Sequence, residues 1–286
     1  MRWEHGRRSD NVEDRRGLHV SRRGLAGGGI GALILALVAI YFGVDPAVVL
    51  NQAGTLAPAQ ESQQPAPASP EEERQKAFLA VVLADTEDVW GALFSASGQR
   101  YEQPRLVLFS GAAESACGFA ESAVGPFYCP ADGKLYLDLS FFADLERRLG
   151  APGDFAQAYV IAHEVGHHVQ NLLGLADRVT EAQRRARSQE QVNELSVRME
   201  LQADCLAGVW GHSAAGRGIL EAGDVEEGLR AAAAIGDDRM QHMAQGRISP
   251  ESWTHGSSEM RVAWLRRGLE GGDPDHCDTF AAGTGG

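Results

Sequence analysis

Apolar residues run without a charge over 24–44 (GLAGGGIGALILALVAIYFGV), nearly vanish over 45–75, and return from Lys76 at spacings of three and four. The first run has the length of a bilayer-spanning helix, about 20 residues, and predicts one transmembrane anchor. The sparse stretch, built of Pro, Ala, Gln and Ser with almost nothing large to bury, has the composition of a linker. Past Lys76, the residues Phe78, Leu79, Val81, Val82, Leu83, Val89 and Trp90 fall on a helical period. Short strand-like runs follow at 105–109 (RLVLF), 126–129 and 134–139 (KLYLDL), and Asp132-Gly133 predicts a hairpin between the last two. From Ser140 the period is helical almost to the end. The pattern predicts a cytoplasmic basic head (1–23), an anchor (24–44), a linker (45–75) and an α+β domain (76–286), mostly helical with a small sheet before its main helix.

Composition narrows the classes. With 286 residues, 44% of them apolar, the chain can build a packed core, which excludes disorder throughout. Its 26 basic and 39 acidic residues give a net charge of -13, the wrong sign for a phosphate backbone, so no nucleic-acid partner is expected. The charge is uneven: residues 1–44 hold seven arginines against four acids. Arg22 and Arg23 abut the apolar run, and Arg7, Arg8, Arg15 and Arg16 lie further out. An arginine excess on that flank predicts a cytoplasmic N-terminus and a domain outside the cytoplasm. A cleaved signal peptide, hinted at by Ala57-Pro58-Ala59, fits less well because signal cores are about 7 to 15 residues long. Four cysteines suit the exported placement. They allow about three connectivities in principle. Cys117 with Cys129 and Cys205 with Cys277 is favoured, because the first pair closes a short Gly-rich loop and the second ties the C-terminal tail to a helix.

The chemistry gathers in one helix. Asp154 reads as its N-cap and Gly174 as its stop, and Ala158, Ile161, Val165, Val169 and Leu172 form its apolar stripe. On another face His163 and His167 stand one turn apart, so both imidazoles can converge on one metal ion at about 2.0 to 2.1 Å. Glu164 then lies beside the metal, placed to take a proton from water and pass it to a leaving amine. A catalytic zinc site needs a third protein ligand. In 189–212, Val192, Leu195, Met199, Leu206 and Trp210 form a core stripe, and Glu200 and Asp204 share a neighbouring face. Glu200 would complete a His2Glu set, and Asp204 could accept the outer N–H of a ligating histidine. The plainer reading of Glu200 is a solvated helix carboxylate. His168 points about 100° away from His167 around the helix and is left unassigned.

These residues, in HEVGHHVQNLLG and ELQADCLAGVW, together with MRWEHGRRSDNVEDRRG, GPFYCPADGKLYLD and RISPESWTHGSSEMRVAWLRRG, resemble the neutral zinc metallopeptidases of bacteria. The resemblance spans most of the chain. It implies a zincin-like fold, a single catalytic Zn²⁺, an inner-membrane location, zinc ligands at His163 and His167 and a catalytic glutamate at Glu164. The E-x-x-A-D pattern of gluzincins places the remaining ligand at Glu200. Met260 stands where a glutamine is expected, and Leu265 where an aromatic is.

Candidates for holding a developing oxyanion are His255, ranked first, then Arg261 and Tyr136. His255 also reads as a surface turn residue before Gly256. KLYLDL could be an edge strand pairing with an extended substrate, or an ordinary core strand. The leading reading is a membrane-anchored zinc endopeptidase acting on protein or peptide substrates outside the cytoplasm. A zinc amidase acting on cell-wall peptides and a non-catalytic zinc-stabilised binding module are the alternatives, and the oligomeric state stays open.

Overall fold

The computed structural model describes residues 1–17, 68–121 and 125–281. The apolar run 24–44 and residues 45–67 of the expected linker lie outside the described residues. Among those described, no helix is long and apolar enough to cross a membrane.

The fold is α+β and mostly helical. Helix α1 (Pro70–Ala96) begins six residues before the expected start of order, inside the stretch taken for linker. Ser69 accepts from the Glu72 amide while the Glu72 carboxylate accepts from the Ser69 amide, and Pro70 occupies the first helical position. This capping box satisfies end groups that would otherwise go unbonded, so a proline-rich segment still nucleates a helix. Strands β2 (Arg105–Phe109), β5 (Phe127–Cys129) and β6 (Lys134–Asp138) follow, with β5 and β6 as the predicted hairpin. A second hairpin, β3 (Ala112–Ser115) with β4 (Gly118–Glu121), was not predicted.

The sheet runs β1-β2-β6-β5, where β1 is the short strand Val12–Asp14. KLYLDL is therefore not an edge strand: β6 is parallel to β2 on one side and antiparallel to β5 on the other, so its backbone groups are committed and unavailable to a substrate. Leu135 and Leu137 are buried on it, as a core strand requires.

The first strand comes from an unexpected place. β1 (Val12–Asp14) belongs to the segment expected to be a separate cytoplasmic head, yet it pairs in parallel with β2. Met1–Arg15 and Ala68–Gly286 form one compact unit. Trp3 packs edge-on against Phe78 of α1 at 5.3 Å, both buried.

The helical part comprises α2 (Ser140–Arg147), α3 (Asp154–Leu172), α4 (Leu175–Arg185), α5 (Gln189–Gly216), α6 (Asp224–Ala234), α7 (Asp237–Gln245) and α8 (Ser258–Gly271). Helix α3 runs through the middle, against α1, α5 and α6, and fourteen of its residues are buried. Phe155 of α3 stacks on Trp210 of α5 at 5.7 Å, and each large side chain so buried contributes about 1.5 to 3 kcal/mol. Asp154 is the first residue of α3 rather than its cap; Gly153 precedes it, and the Asp154 carboxylate instead takes the Met1 ammonium at 2.9 Å. Gly174 ends the helix region in the left-handed conformation, φ 67°, as expected of a stop.

Both favoured disulfides are present, Cys117–Cys129 and Cys205–Cys277. The second spans 72 residues of sequence, and a loop of that size is worth about 4 kcal/mol of chain entropy. It binds the C-terminal segment to α5 one residue after Asp204.

Candidate metal centre

Three side chains from two helices meet in the interior. His163 and His167 on α3 and Glu200 on α5 each offer a ligand atom, all within 4.8 Å of one another. Glu200 Oε2 lies 3.2 Å from His163 Nε2, and Oε1 lies 3.4 Å from His167 Nε2. The rings stand nearly perpendicular, at 87°, with centroids 4.8 Å apart. Glu200 is mostly buried here, unlike a solvated helix carboxylate.

The approach of the helices depends on the fourth letter of HEVGH. A Cβ at Gly166 would stand 2.9 Å from the Ala203 carbonyl oxygen and 3.0 Å from its Cα, both on α5. Contact that close leaves no space for a side chain, so glycine lets α5 bring Glu200 within reach of the histidines. Gly208 and Gly268 do the same for α5 and α8, where a Cβ on either would run into the other helix's backbone.

Each imidazole is held from behind, by different chemistry. His163 Nδ1 donates to Asp204 Oδ1 at 2.8 Å. Asp204 is fully buried; it also accepts from Tyr159 Oη at 2.5 Å and from Arg261 Nε and Nη2 at 2.8 and 2.9 Å. His167 Nδ1 donates to Gln170 Oε1 at 2.9 Å. The amide orientation of Gln170 is fixed because its Nε2 donates to the Met199 carbonyl at 2.7 Å. With both Nδ1 atoms committed to acceptors behind the rings, both Nε2 atoms are directed at the Glu200 carboxylate, and they are the positions a cation would take from a proton.

The electrostatics favour a cation at that point. Burial pushes the Glu164 carboxyl up, against the pull of the two imidazoles. Glu200 is held well below the usual carboxylate range despite burial, by His167 and by hydrogen bonds from both rings. Asp204, also opposed by burial, falls to about 2 beside Arg261 and His163. Asp204 and Glu200 in turn raise His163 to about 9 against desolvation. Two imidazole nitrogens and a carboxylate converging on one point are the donor types zinc takes, so the residues fit that ion. Glu164 is buried next to the ligand set without belonging to it.

The other expected residues fall as follows. Arg261 is buried and tied to Asp204 and Tyr159, so it neutralises the carboxylate behind His163 instead of facing a substrate. Tyr136 donates to Asp132 at 2.7 Å and stacks on Phe127, committed within the sheet. His255 retains a half-exposed ring, with Nδ1 3.2 Å from Asp237 Oδ1. Asp237 also accepts from the amides of Thr254, His255 and Gly256, which fixes the turn carrying the ring. That hydrogen bond raises the His255 pKa against burial, with Glu200 adding to it. His168 is a structural clamp: Nε2 donates to the Glu102 carbonyl at 2.6 Å, and Nδ1 accepts from Tyr128 Oη at 3.1 Å. Gln170, Tyr159 and Asp237 were not singled out in the sequence. Gln170 lies three residues past His167 on the same helical face, which was the one available signal.

Comparison with known proteins agrees with this chemistry. The family described as "Putative neutral zinc metallopeptidase" matches residues 1–280. The chain is 52% identical to the uncharacterized protein YpfJ of Escherichia coli K12 over 288 aligned positions, covering 98% of this chain and 99% of that protein. It is 40% identical to the uncharacterized proteins Mb2605 of Mycobacterium bovis and Rv2575 of Mycobacterium tuberculosis, with 85% of each chain covered. No solved structure matches it. With that family matched over nearly its whole length, this chain belongs to it.

Proposed function

We propose that the protein is a zinc-dependent endopeptidase that hydrolyses peptide bonds of protein substrates outside the cytoplasm. The observation that carries this reading is the convergence of His163 Nε2, His167 Nε2 and the Glu200 carboxylate, with the buried Glu164 beside them. His163, His167 and Glu200 would hold the ion in a zincin-like arrangement. When bound, zinc supplies Lewis acidity for a peptide carbonyl and acidifies water.

The protein's own groups supply the rest. Glu164, its basicity raised by burial, accepts the proton from the attacking water and returns it to the leaving amine. Asp204 and Gln170 keep the inner nitrogens of both imidazoles aimed at Glu200, and Arg261 balances the Asp204 charge behind His163. His255, its ring held by Asp237, would stabilise a developing oxyanion. Two disulfides support a location in an oxidising compartment.

The test is a casein-degradation assay with zinc analysis on the full chain, keeping residues 1–15 because β1 is part of the fold. Glu164→Gln should retain its zinc while turnover falls by about 10² to 10⁴. Loss of zinc in that variant, or wild-type turnover, would remove Glu164 from the role of base.

A further inference from the structure

The head is built into the body in a way that constrains how the chain can meet a membrane. Val12, Glu13 and Asp14 are in register with Leu106, Val107 and Leu108. The ladder extends on either side, with the Leu106 amide donating to Asn11 at 2.9 Å and the Arg15 amide to Leu108 at 2.7 Å. Ahead of β1, Glu87 on α1 is only 2% exposed and accepts from three donors of the head: Ser9 Oγ at 2.6 Å, Asn11 Nδ2 at 2.8 Å and Arg7 Nη2 at 3.0 Å. Glu87 is covered and hydrogen-bonded in this way only while the head is docked. The head is therefore a structural part of the unit that carries the metal centre.

Between Arg15 and Ala68 runs the apolar stretch 24–44, long enough for one bilayer crossing. One crossing would put Val12 and Leu106 on opposite faces of a hydrocarbon core about 30 Å thick, and no backbone hydrogen bond spans that distance. Two of the arginines behind the opposite-sides expectation also have partners within the fold. Arg7 pairs with Glu87 and Asp88, and Arg15 with Glu13, so these two charges are used inside the fold.

We propose that the head and the catalytic body occupy the same compartment, so that the chain leaves the folded unit after Arg15 and rejoins it at Ala68 from one side of the membrane. The inference does not depend on the peptidase reading.

Site-directed labelling tests it on the full-length chain in bacterial membranes. Asp10→Cys in the head and Arg187→Cys in the body, both exposed, are treated with a membrane-impermeant maleimide in spheroplasts and in inverted vesicles. Both positions should label in the same preparation and be protected in the other; labelling in opposite preparations overturns the proposal. A readout without substitution uses a carbodiimide, which should join Lys76 to Asp14, 2.9 Å apart, in the membrane-bound wild-type chain. Recovery of that cross-linked peptide supports the docked head. Its absence from a chain that retains both disulfides overturns it.

Discussion

At the start of α3, Asp154, Asp224 and Glu227 bring carboxylate oxygens within 4.8 Å of one another; further along the same helix, His163 and His167 do so with Glu200. By proximity alone both are metal-binding clusters. Their surroundings separate them. The first is already served by protein cations and N–H groups: the Met1 ammonium contacts Asp154 and Asp224 at 2.9 and 3.2 Å, and the Phe155 amide donates to Glu227 at 3.2 Å. In the second, Asp204 and Gln170 occupy the outer ring nitrogens and leave the inner ones directed at Glu200. Proximity of acids says little, whereas donors whose other bonds are already made say a great deal.

The comparison breaks most readily at the third ligand. Glu200→Ala should abolish stoichiometric zinc under dialysis, while Asp224→Asn should leave one zinc per chain and cost about 1.5 to 3 kcal/mol in denaturant unfolding. Zinc lost from the Asp224 variant and kept by the Glu200 variant would exchange the roles of the two clusters. Next in size is Asp204→Ala, which leaves Arg261 buried without its carboxylate and should destabilise the fold by about 3 to 5 kcal/mol. A value near zero would mean that Asp204 carries little of the support behind His163.

Gln170→Leu is gentler. It keeps bulk but removes the acceptor for His167 Nδ1, and competition with a chromogenic chelator should show zinc affinity lowered about 10- to 100-fold. The smallest effect is in the pH dependence of the metal-free protein. Asp204 is depressed from 3.8 to about 2, so its contribution is complete above pH 3.8 and lost as the pH falls through 2. Acid unfolding of Asp204→Asn should lack that limb, and an unchanged acid limb would assign it to other carboxylates.

Much of the centre was legible because it is local. His163 and His167 are one turn apart, Glu200 and Asp204 likewise, and helix periodicity alone puts each pair on one face. The strands 105–109 and 134–139 and the hairpin were legible from alternation and a turn dipeptide. What escaped depends on contacts distant in sequence. Arg261 reaches Asp204 across 57 residues, and a buried arginine bound to a carboxylate is indistinguishable in a sequence from a surface one. β1 is three residues long and pairs with a partner more than ninety positions away, so no local period announces it. Arg7 and Arg15, on either side of it, fitted a topological rule equally well until their carboxylate partners were known.

Gly166 sits in HEVGH at a position the general H-E-x-x-H pattern leaves unspecified. In this protein it works as a feeler gauge: the clearance between α3 and α5 is set by a missing methyl group, and the span the ion would bridge is set with it. Alanine at 166 would act as a shim, moving Glu200 outward without touching a single donor atom.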